Sequence, residues 1–194
     1  MSSDKANFYR KKLDELYAII LGLRPSSPAE EFEAFASRFT TDCIVYLTSM
    51  RNNPGISRQE AIEDMKEVLE NYYTEKREVL HFSLDSDGRT LFCETKQRLN
   101  VIGDTIEEFF ETEVVTFDDQ GLIKVFKKYC CWSPIVDIVQ KKTGKGPYDE
   151  GELREQYESH MIQKAMTRAR KRQARNDVGN AALLQNGVSA GCCA

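Results

Sequence analysis

The chain has 194 residues, 41% of them hydrophobic and 30% charged, and a formal net charge of −4. This length suits one domain of ordinary size with an appendage, and the composition is typical of globular proteins. No apolar run approaches the ~20 residues of a membrane span, and residues 1–17 lack the apolar segment of a secretory signal. We therefore expect an intracellular, cytoplasmic protein with no membrane span.

The cysteine pattern excludes two further classes of protein. There are six cysteines, and none forms a CxxC pair. The adjacent Cys130 and Cys131 fall on a predicted strand, where neighbouring side chains point to opposite faces. We expect neither a disulfide framework nor a zinc site. No phosphate-binding loop or dinucleotide fingerprint is present, so the sequence predicts no metal and no cofactor.

Three helices are predicted before the main sheet. The first covers residues 5–23 and places its leucines on one face. Capping-box patterns at Ser27-Pro28-Ala29-Glu30 and Ser57-Arg58-Gln59-Glu60 begin the other two. A short strand, residues 43–48, lies between these two helices. Their apolar stripes are expected to form the core.

Four further strands follow, beginning with residues 79–84 and 89–102. Asp87-Gly88 between them is a strong hairpin signal, and it predicts that Ser86 faces Arg89. The last two strands lie within residues 105–132 and turn at 118–121. The helices would cover the apolar face of an antiparallel sheet built from these strands.

Strand alternation predicts which side chains face the core. His81 falls opposite Glu94 on the outer face. The inner face receives Leu80 together with a polar set, and Glu111, Glu113, Lys124 and Lys128 fall outside. The inward polar set consists of Thr95, Gln97, Glu108, Thr112, Lys127 and Tyr129. A single β-bulge would reverse every assignment beyond it, turning His81 inward or Glu111 and Glu113 toward the interior.

The C-terminal part differs in composition from the rest. Glycines and a proline at 144–147 predict a linker, so we divide the chain into a domain, 1–148, and an appendage, 149–194. The appendage is expected to hold a charged helix from 152 to about 175 and a disordered tail. The basic run 168–172 is most simply a solvated helix face, with nuclear targeting as the alternative. Nucleic acid is not an expected partner.

The order of these elements resembles the nuclear-transport-factor-2-like superfamily, and within it the SnoaL-like branch. The resemblance covers residues 8–139. It is carried by Phe39-Thr40-Thr41-Asp42-Cys43-Ile44-Val45-Tyr46, by Ser57-Arg58-Gln59-Glu60-Ala61-Ile62, and by Phe117-Asp118-Asp119-Gln120-Gly121-Leu122-Ile123 followed by Tyr129. It implies an α+β fold in which a cone-shaped, curved antiparallel sheet wraps around the N-terminal helices. The aspartate that the family often has two residues after the tyrosine is here Cys131.

The resemblance implies one of two functions. Catalytic members are cyclases, dehydratases and isomerases of small hydrophobic molecules, and other members bind ligands or proteins without catalysis. The enzyme interpretation requires an enclosed cavity of a few hundred Å³ behind Tyr129. A polar rim without chemistry is the alternative explanation of the inward polar set.

The candidate site residues follow from the inward polar set and the aromatic residues near it. Glu108, Lys127 and Tyr129 could move a proton beside a carbonyl, and His81 would be the general base if it turned inward. The candidate substrate-binding residues are Tyr46, Tyr73, Gln97, Thr112 and Trp132. The expected ligand is a small hydrophobic molecule.

The outer sheet face is the predicted partner surface. Its expected apolar residues are Phe92, Phe109, Val115, Phe117, Phe126 and Trp132. So much exposed aromatic surface suggests a homodimer.

Overall fold

The structure, a computed structural model, describes residues 3–47, 53–144, 159 and 162–174. Its contacts divide the chain into two units, 1–148 and 149–194. In the second unit, residues 162–174 are helical. Apart from Gly144, the predicted linker lies outside the described residues, and so does the predicted disordered tail. The first unit is built from four helices and five strands, α1 (Ser3–Ile20), α2 (Ala29–Ala36), β1 (Phe39–Tyr46), α3 (Arg58–Asn71), β2 (Tyr72–Leu84), β3 (Thr90–Val101), β4 (Asp104–Phe117), β5 (Ile123–Cys130) and α4 (Ser133–Thr143).

The five strands form one sheet in the order β1-β5-β4-β3-β2. The strands from β2 to β5 are antiparallel, as predicted, while β1 runs parallel to β5 and makes the sheet mixed. One helix and three strands separate β1 from β5 along the chain. This connection is long enough for β5 to pair with β1 in either direction, because no tight turn joins the two strands. The predicted α+β architecture is confirmed. None of the described helices is long and apolar enough to cross a membrane.

The core lies between the helices and the inner face of the sheet. Leu13 and Leu16 of α1, Phe35 of α2, and Leu91 and Leu99 of β3 are all fully buried. The Ser57 hydroxyl caps α3 by accepting a hydrogen bond from the Glu60 backbone N–H at 3.2 Å, as predicted. The predicted cap of α2 is wrong. Its N-cap is Pro28, which has no capping side chain, and the Ser27 hydroxyl bonds to the Arg24 N–H instead.

The first hairpin has the predicted register as far as His81. Leu84 pairs with Leu91. His81 pairs with Glu94, and the His81 and Glu94 side chains are exposed. A register shift between Val79 and His81 then turns Leu80 outward, where it is 44% exposed. The predicted inward position of Leu80 is therefore wrong. On β3 every predicted orientation holds, because the hairpin turn fixes that strand directly.

A bulge in β4 reverses the predicted orientations beyond Ile106. The register between β3 and β4 shifts where Leu99 pairs with Ile106 and Gln97 pairs with Phe109. The strand therefore contains one residue more than its partner over this interval. Glu108, Phe110 and Thr112, which were predicted to be inward, are exposed. The residues predicted to be outward, Phe109, Glu111, Glu113, Val115 and Phe117, are buried.

A second irregularity lies at the start of β5. Thr116 pairs with Val125, but the next pair is Phe117 with Ile123, so Lys124 is an extra residue. Beyond it, Phe126 is buried, and the Lys128 side chain is only 10% exposed. Lys127 and Tyr129 point to the outer face, contrary to the prediction.

Candidate functional site

Two glutamates of β4, Glu111 and Glu113, lie on the inner face of the sheet. They are separated by one residue, so alternation places both on the same side. Glu111 is 3% exposed and Glu113 is fully buried. A buried carboxylate is costly unless a cation or several hydrogen bonds compensate it. Each of the two has its own cation.

Glu113 is paired with Arg77 of β2. The guanidinium donates from Nη2 to Glu113 Oε2 at 2.8 Å and from Nε to Oε1 at 3.4 Å. Its Nη1 donates to Asp14 Oδ1 of α1 at 3.1 Å. The same guanidinium lies 4.0 Å from the ring centre of Tyr17. Arg77 of β2 is therefore linked to α1 and to β4 by ion pairs with Asp14 and Glu113. Only 5% of the Arg77 side chain is exposed.

Glu111 is paired with Lys128 of β5. The Lys128 Nζ lies 2.9 Å from Glu111 Oε2. The other carboxylate oxygen accepts from Gln97 Nε2 at 2.8 Å and from the Tyr17 hydroxyl at 3.3 Å. Gln97 Oε1 in turn accepts from the Thr74 hydroxyl at 3.0 Å. This arrangement is the interior polar network, and Tyr17 connects it to the Arg77–Glu113 pair.

Burial and charge shift the titration of these groups in different directions. Burial is the largest cause of the raised pKa of Glu113, since it outweighs the lowering effect of Arg77. Burial alone would lower the pKa of Lys128, but Glu111 and Tyr72 raise it, and the net shift is upward. Burial also raises the pKa of both Tyr17 and Tyr72. Lys128 is thus charged and both tyrosines carry their protons at neutral pH.

A small cavity lies against this network. Its polar lining is Tyr17, Tyr72, Thr74 and Lys128, and Tyr73 also borders it. The apolar lining comes from Ile20, Leu47, Met65, Val68, Leu69 and Phe126. The volume is about 20 Å³, and one water needs ~10–15 Å³ on the same measure. This cavity is therefore far smaller than the expected few hundred Å³, and the exposed Tyr129 does not border it.

Three of the predicted site residues lie at or near the cavity. Gln97 is buried within the interior polar network. Tyr73 lines the cavity, and the guanidinium of Arg24 stacks 4.1 Å above its ring. The Trp132 ring packs edge-on against Tyr72, with the ring centres 5.7 Å apart. Their roles as substrate-binding residues stay predictions.

The other predicted site residues lie on the outer side of the sheet. His81, Glu108, Thr112 and Tyr129 are exposed. Lys127 and Tyr46 are half-buried and pair with each other across β5 and β1. The bulge in β4 turns Glu108 and Thr112 outward. The irregularity at Lys124 turns Lys127 and Tyr129 outward. The predicted inward orientation of these four residues is wrong.

Sequence reasoning missed Glu111, Lys128 and Arg77 as interior residues. A signal for two of them was present, because Glu111 and Lys128 were expected on one face of the sheet. They do share a face, but it is the inner one. No group of three or more histidine, cysteine, aspartate or glutamate side chains in the described part of the chain could hold a metal ion.

Comparison with known proteins shows the fold. No protein-family model matches the sequence, and no curated protein matches it. A pinacolase, BvnE from Penicillium brevicompactum, is similar in structure over 74% of this chain and 97% of its own, with a TM-score of 0.54 and 11% identity. An epoxide hydrolase from M. tuberculosis, described as LEH-like, matches over 72% of this chain and 98% of its own, with a TM-score of 0.51 and 10% identity.

A third structure adds another activity on the same fold. SalBIII is an epoxide hydrolase/cyclase-like enzyme with a role in pyran ring formation in polyether salinomycin. It covers 64% of this chain and 92% of its own, with a TM-score of 0.50 and 13% identity. The predicted nuclear-transport-factor-2-like fold is confirmed by these similarities.

Proposed function

We propose that the protein is a cofactor-free enzyme that moves a proton on a small hydrophobic molecule, as cyclases, lyases and isomerases do. The Glu111–Lys128 pair, buried beside an apolar cavity, is the observation that carries this proposal. Structures with the same fold include cyclase-like enzymes, epoxide hydrolases and a pinacolase. Perturbed ionisable groups that cluster at a cavity are a common sign of a catalytic site.

The proposed chemistry assigns roles to Tyr17, Tyr72 and Lys128 of the cavity lining and to Glu111 behind them. Tyr17 borders the cavity and donates its proton toward Glu111 Oε1 at 3.3 Å. A proton leaving a substrate carbon passes to the Tyr17 oxygen as the Tyr17 proton passes to Glu111. The charged Lys128 and the Tyr72 hydroxyl face the negative charge that develops on a substrate oxygen. The aliphatic and aromatic lining holds the hydrophobic part of the molecule.

Substrate entry requires a wider cavity than the present one. Tyr73 is half-buried at its edge and is held by the Arg24 guanidinium, which donates to Leu21 O at 2.9 Å and to Leu23 O at 2.6 Å. In the proposed cycle the Arg24–Tyr73 stack moves aside when substrate binds. Tyr73→Ala is expected to enlarge the cavity and to strengthen binding of larger hydrophobic molecules.

The experiment starts from the native protein. Mass spectrometry of its organic extract identifies copurifying small molecules, and the turnover of these or their close analogues is then measured. Glu111→Gln is expected to lower kcat by at least ~100-fold, as loss of an acid–base group does. Glu108→Gln, an exposed glutamate on the same strand, is the matched control and should keep its rate. Equal rates for both variants would contradict the assignment of Glu111.

The second candidate function is a module that binds a ligand or a protein without catalysis. The small cavity volume, about 20 Å³, is the observation that favours it. On this alternative, the interior polar network only fixes the geometry of the sheet. A ligand-binding module should retain a copurifying molecule without turning it over, and a protein-binding module should retain none.

We also propose a homodimer formed through the outer sheet face. The predicted apolar set for this face is corrected by the structure, since Phe109, Val115, Phe117 and Phe126 are buried. One exposed apolar side chain from each strand replaces them. These are Ile44, Leu80, Phe92, Phe110 and Tyr129, between 38% and 54% exposed. A second copy of the chain is the simplest partner that would cover a surface contributed by every strand.

A further inference from the structure

A second cavity lies beside the turn between β4 and β5, and it belongs to no part of the proposed enzyme site. Its volume is about 90 Å³, which is room for several waters or one tetrahedral oxyanion at ~10–15 Å³ per water. The walls come from Lys12 of α1, from Ser37 and Arg38 after α2, and from Gln120 and Gly121 of the turn. It is larger and more polar than the cavity against the interior polar network.

The turn is fixed against the helices by close contacts. Gly121 has φ of +82°, and a Cβ added there would lie 3.0 Å from Phe8 Cζ and 3.2 Å from Lys12 Cγ. The Ile123 N–H donates to Arg38 O at 2.9 Å. The cavity is thus a consequence of how α1, α2 and the turn pack together, and its walls are held in place without a ligand.

Two cationic side chains, Lys12 and Arg38, line this cavity. Glu15 Oε2 lies 3.3 Å from Lys12 Nζ and 2.9 Å from Arg38 Nη1. The two cations therefore share one carboxylate. The nearby acceptors, including the carboxylate of Asp118, are engaged elsewhere. Ala34 O accepts from the Ser37 hydroxyl at 2.7 Å, and Asp118 Oδ1 accepts the backbone N–H groups of Gln120 and Leu122.

The Arg38 Nε–H group has no acceptor in the described part of the chain. Its nitrogen is buried and makes no hydrogen bond. A buried donor without an acceptor is unfavourable, and more so when the group is charged. Arg38 lines the cavity, so an oxygen placed there is a candidate acceptor for Nε–H.

From these observations we infer that the cavity binds an oxyanion, the carboxylate or phosphate group of a small molecule, between Lys12 and Arg38. Arginine recognises such groups with paired N–H donors, and lysine adds a point charge. A bound oxyanion pairs with the cation that lacks a carboxylate of its own and supplies the missing acceptor. The site is separate from the Glu111–Lys128 pair, so it can hold even if the proposed enzyme function fails.

The test follows the Arg38 Nε–Hε signal by NMR in the ¹⁵N-labelled full chain. The signal is assigned by its loss in Arg38→Lys. Sodium phosphate and sodium acetate are titrated separately at constant ionic strength, with sodium chloride as the blank. A saturable shift with phosphate, with acetate or with both, but not with chloride, is the expected result, and it also tells which oxyanion the site prefers.

Two lysine variants make the test specific. Lys12→Met should weaken binding about tenfold, the effect of losing one charged hydrogen bond. Lys11→Met, an exposed neighbour that does not line the cavity, should leave it unchanged. Absence of a saturable shift, the same shift with chloride, or equal binding by both variants would overturn the inference.

Discussion

Arg77→Met tests the interior ion pairs most directly, because it leaves the fully buried Glu113 without its cation. The guanidinium is 5% exposed and donates to the carboxylate at 2.8 Å and 3.4 Å. Removing one partner of such a pair typically costs ~3–5 kcal/mol. A domain of this size changes its Tm by ~2–4 °C for each kcal/mol, so we expect a loss of roughly 10 °C. Loss of the contact to Asp14 adds little, since that side chain is 44% exposed.

The pH dependence of the stability loss in Arg77→Met tests whether Glu113 causes it. Burial already raises the pKa of Glu113, and Arg77 opposes the shift. Without Arg77 the pKa rises further, so the folded variant holds this proton over a wider pH range than the unfolded chain, whose glutamates titrate near ~4.3. Both proteins lose stability as the pH rises from ~4.3 to the raised folded-state pKa of the wild type. The difference in free energy of unfolding between wild type and variant therefore grows between that pKa and the higher pKa of the variant, and it is constant above the latter.

The assay is urea unfolding of the wild type and the variant at about pH 5 and about pH 8. We expect the difference between the two proteins to be larger at the higher pH. The double variant Arg77→Met/Glu113→Gln is the control, because it has no carboxyl at this position and should regain much of the stability at about pH 8. A loss below ~1 kcal/mol, or an equal loss at both pH values, would refute this account of Glu113.

Three further predictions concern the rest of the molecule. Gly121→Ala places a Cβ at a positive φ and 3.0 Å from Phe8, so the Tm should fall by several degrees, while Gly22→Ala, whose Cβ meets nothing closer than 3.4 Å, should change it little. Phe110→Glu should convert the proposed dimer to monomer in light scattering, and a wild-type protein already monomeric at tens of micromolar would contradict the dimer. Deletion of 150–194 should leave the Tm within a few degrees of the full-length value, whereas a drop of about ten degrees, roughly 3 kcal/mol, would show that this part stabilises the body.

The fold was predictable because its strongest signals are local. Hairpin chemistry at Asp87-Gly88 fixes the β2–β3 register directly, and all of the β3 orientations predicted from it are correct. The Ser57 cap and the Gly144 end of α4 are likewise encoded by a few adjacent residues. These features need no knowledge of distant contacts. The architecture follows from their order.

The interior polar residues were not predictable by alternation, because the two faces of β4 are nearly equal in hydrophobicity. One face carries Ile106, Phe110 and Val114, and the other carries Phe109, Val115 and Phe117. The predicted orientation was therefore carried over from β3 by alternation, and the bulge in β4 breaks that alternation. The glutamates can face the interior because Arg77 and Lys128, from two other strands, compensate them. The bulge turns the charged face of β4 inward, and this orientation depends on partners from other strands.

Stability alone does not account for the two buried pairs. Replacing a buried ion pair with apolar residues of similar volume is often neutral or stabilising, so leucine or valine on β4 would serve a purely structural interior at least as well. The pairs instead place a protonated Lys128 and two proton-bearing tyrosines, Tyr17 and Tyr72, around one apolar cavity. Such a set can receive a proton and face a negative charge in a site with little water. On the proposed function, chemistry at the cavity is the reason for the interior polar network.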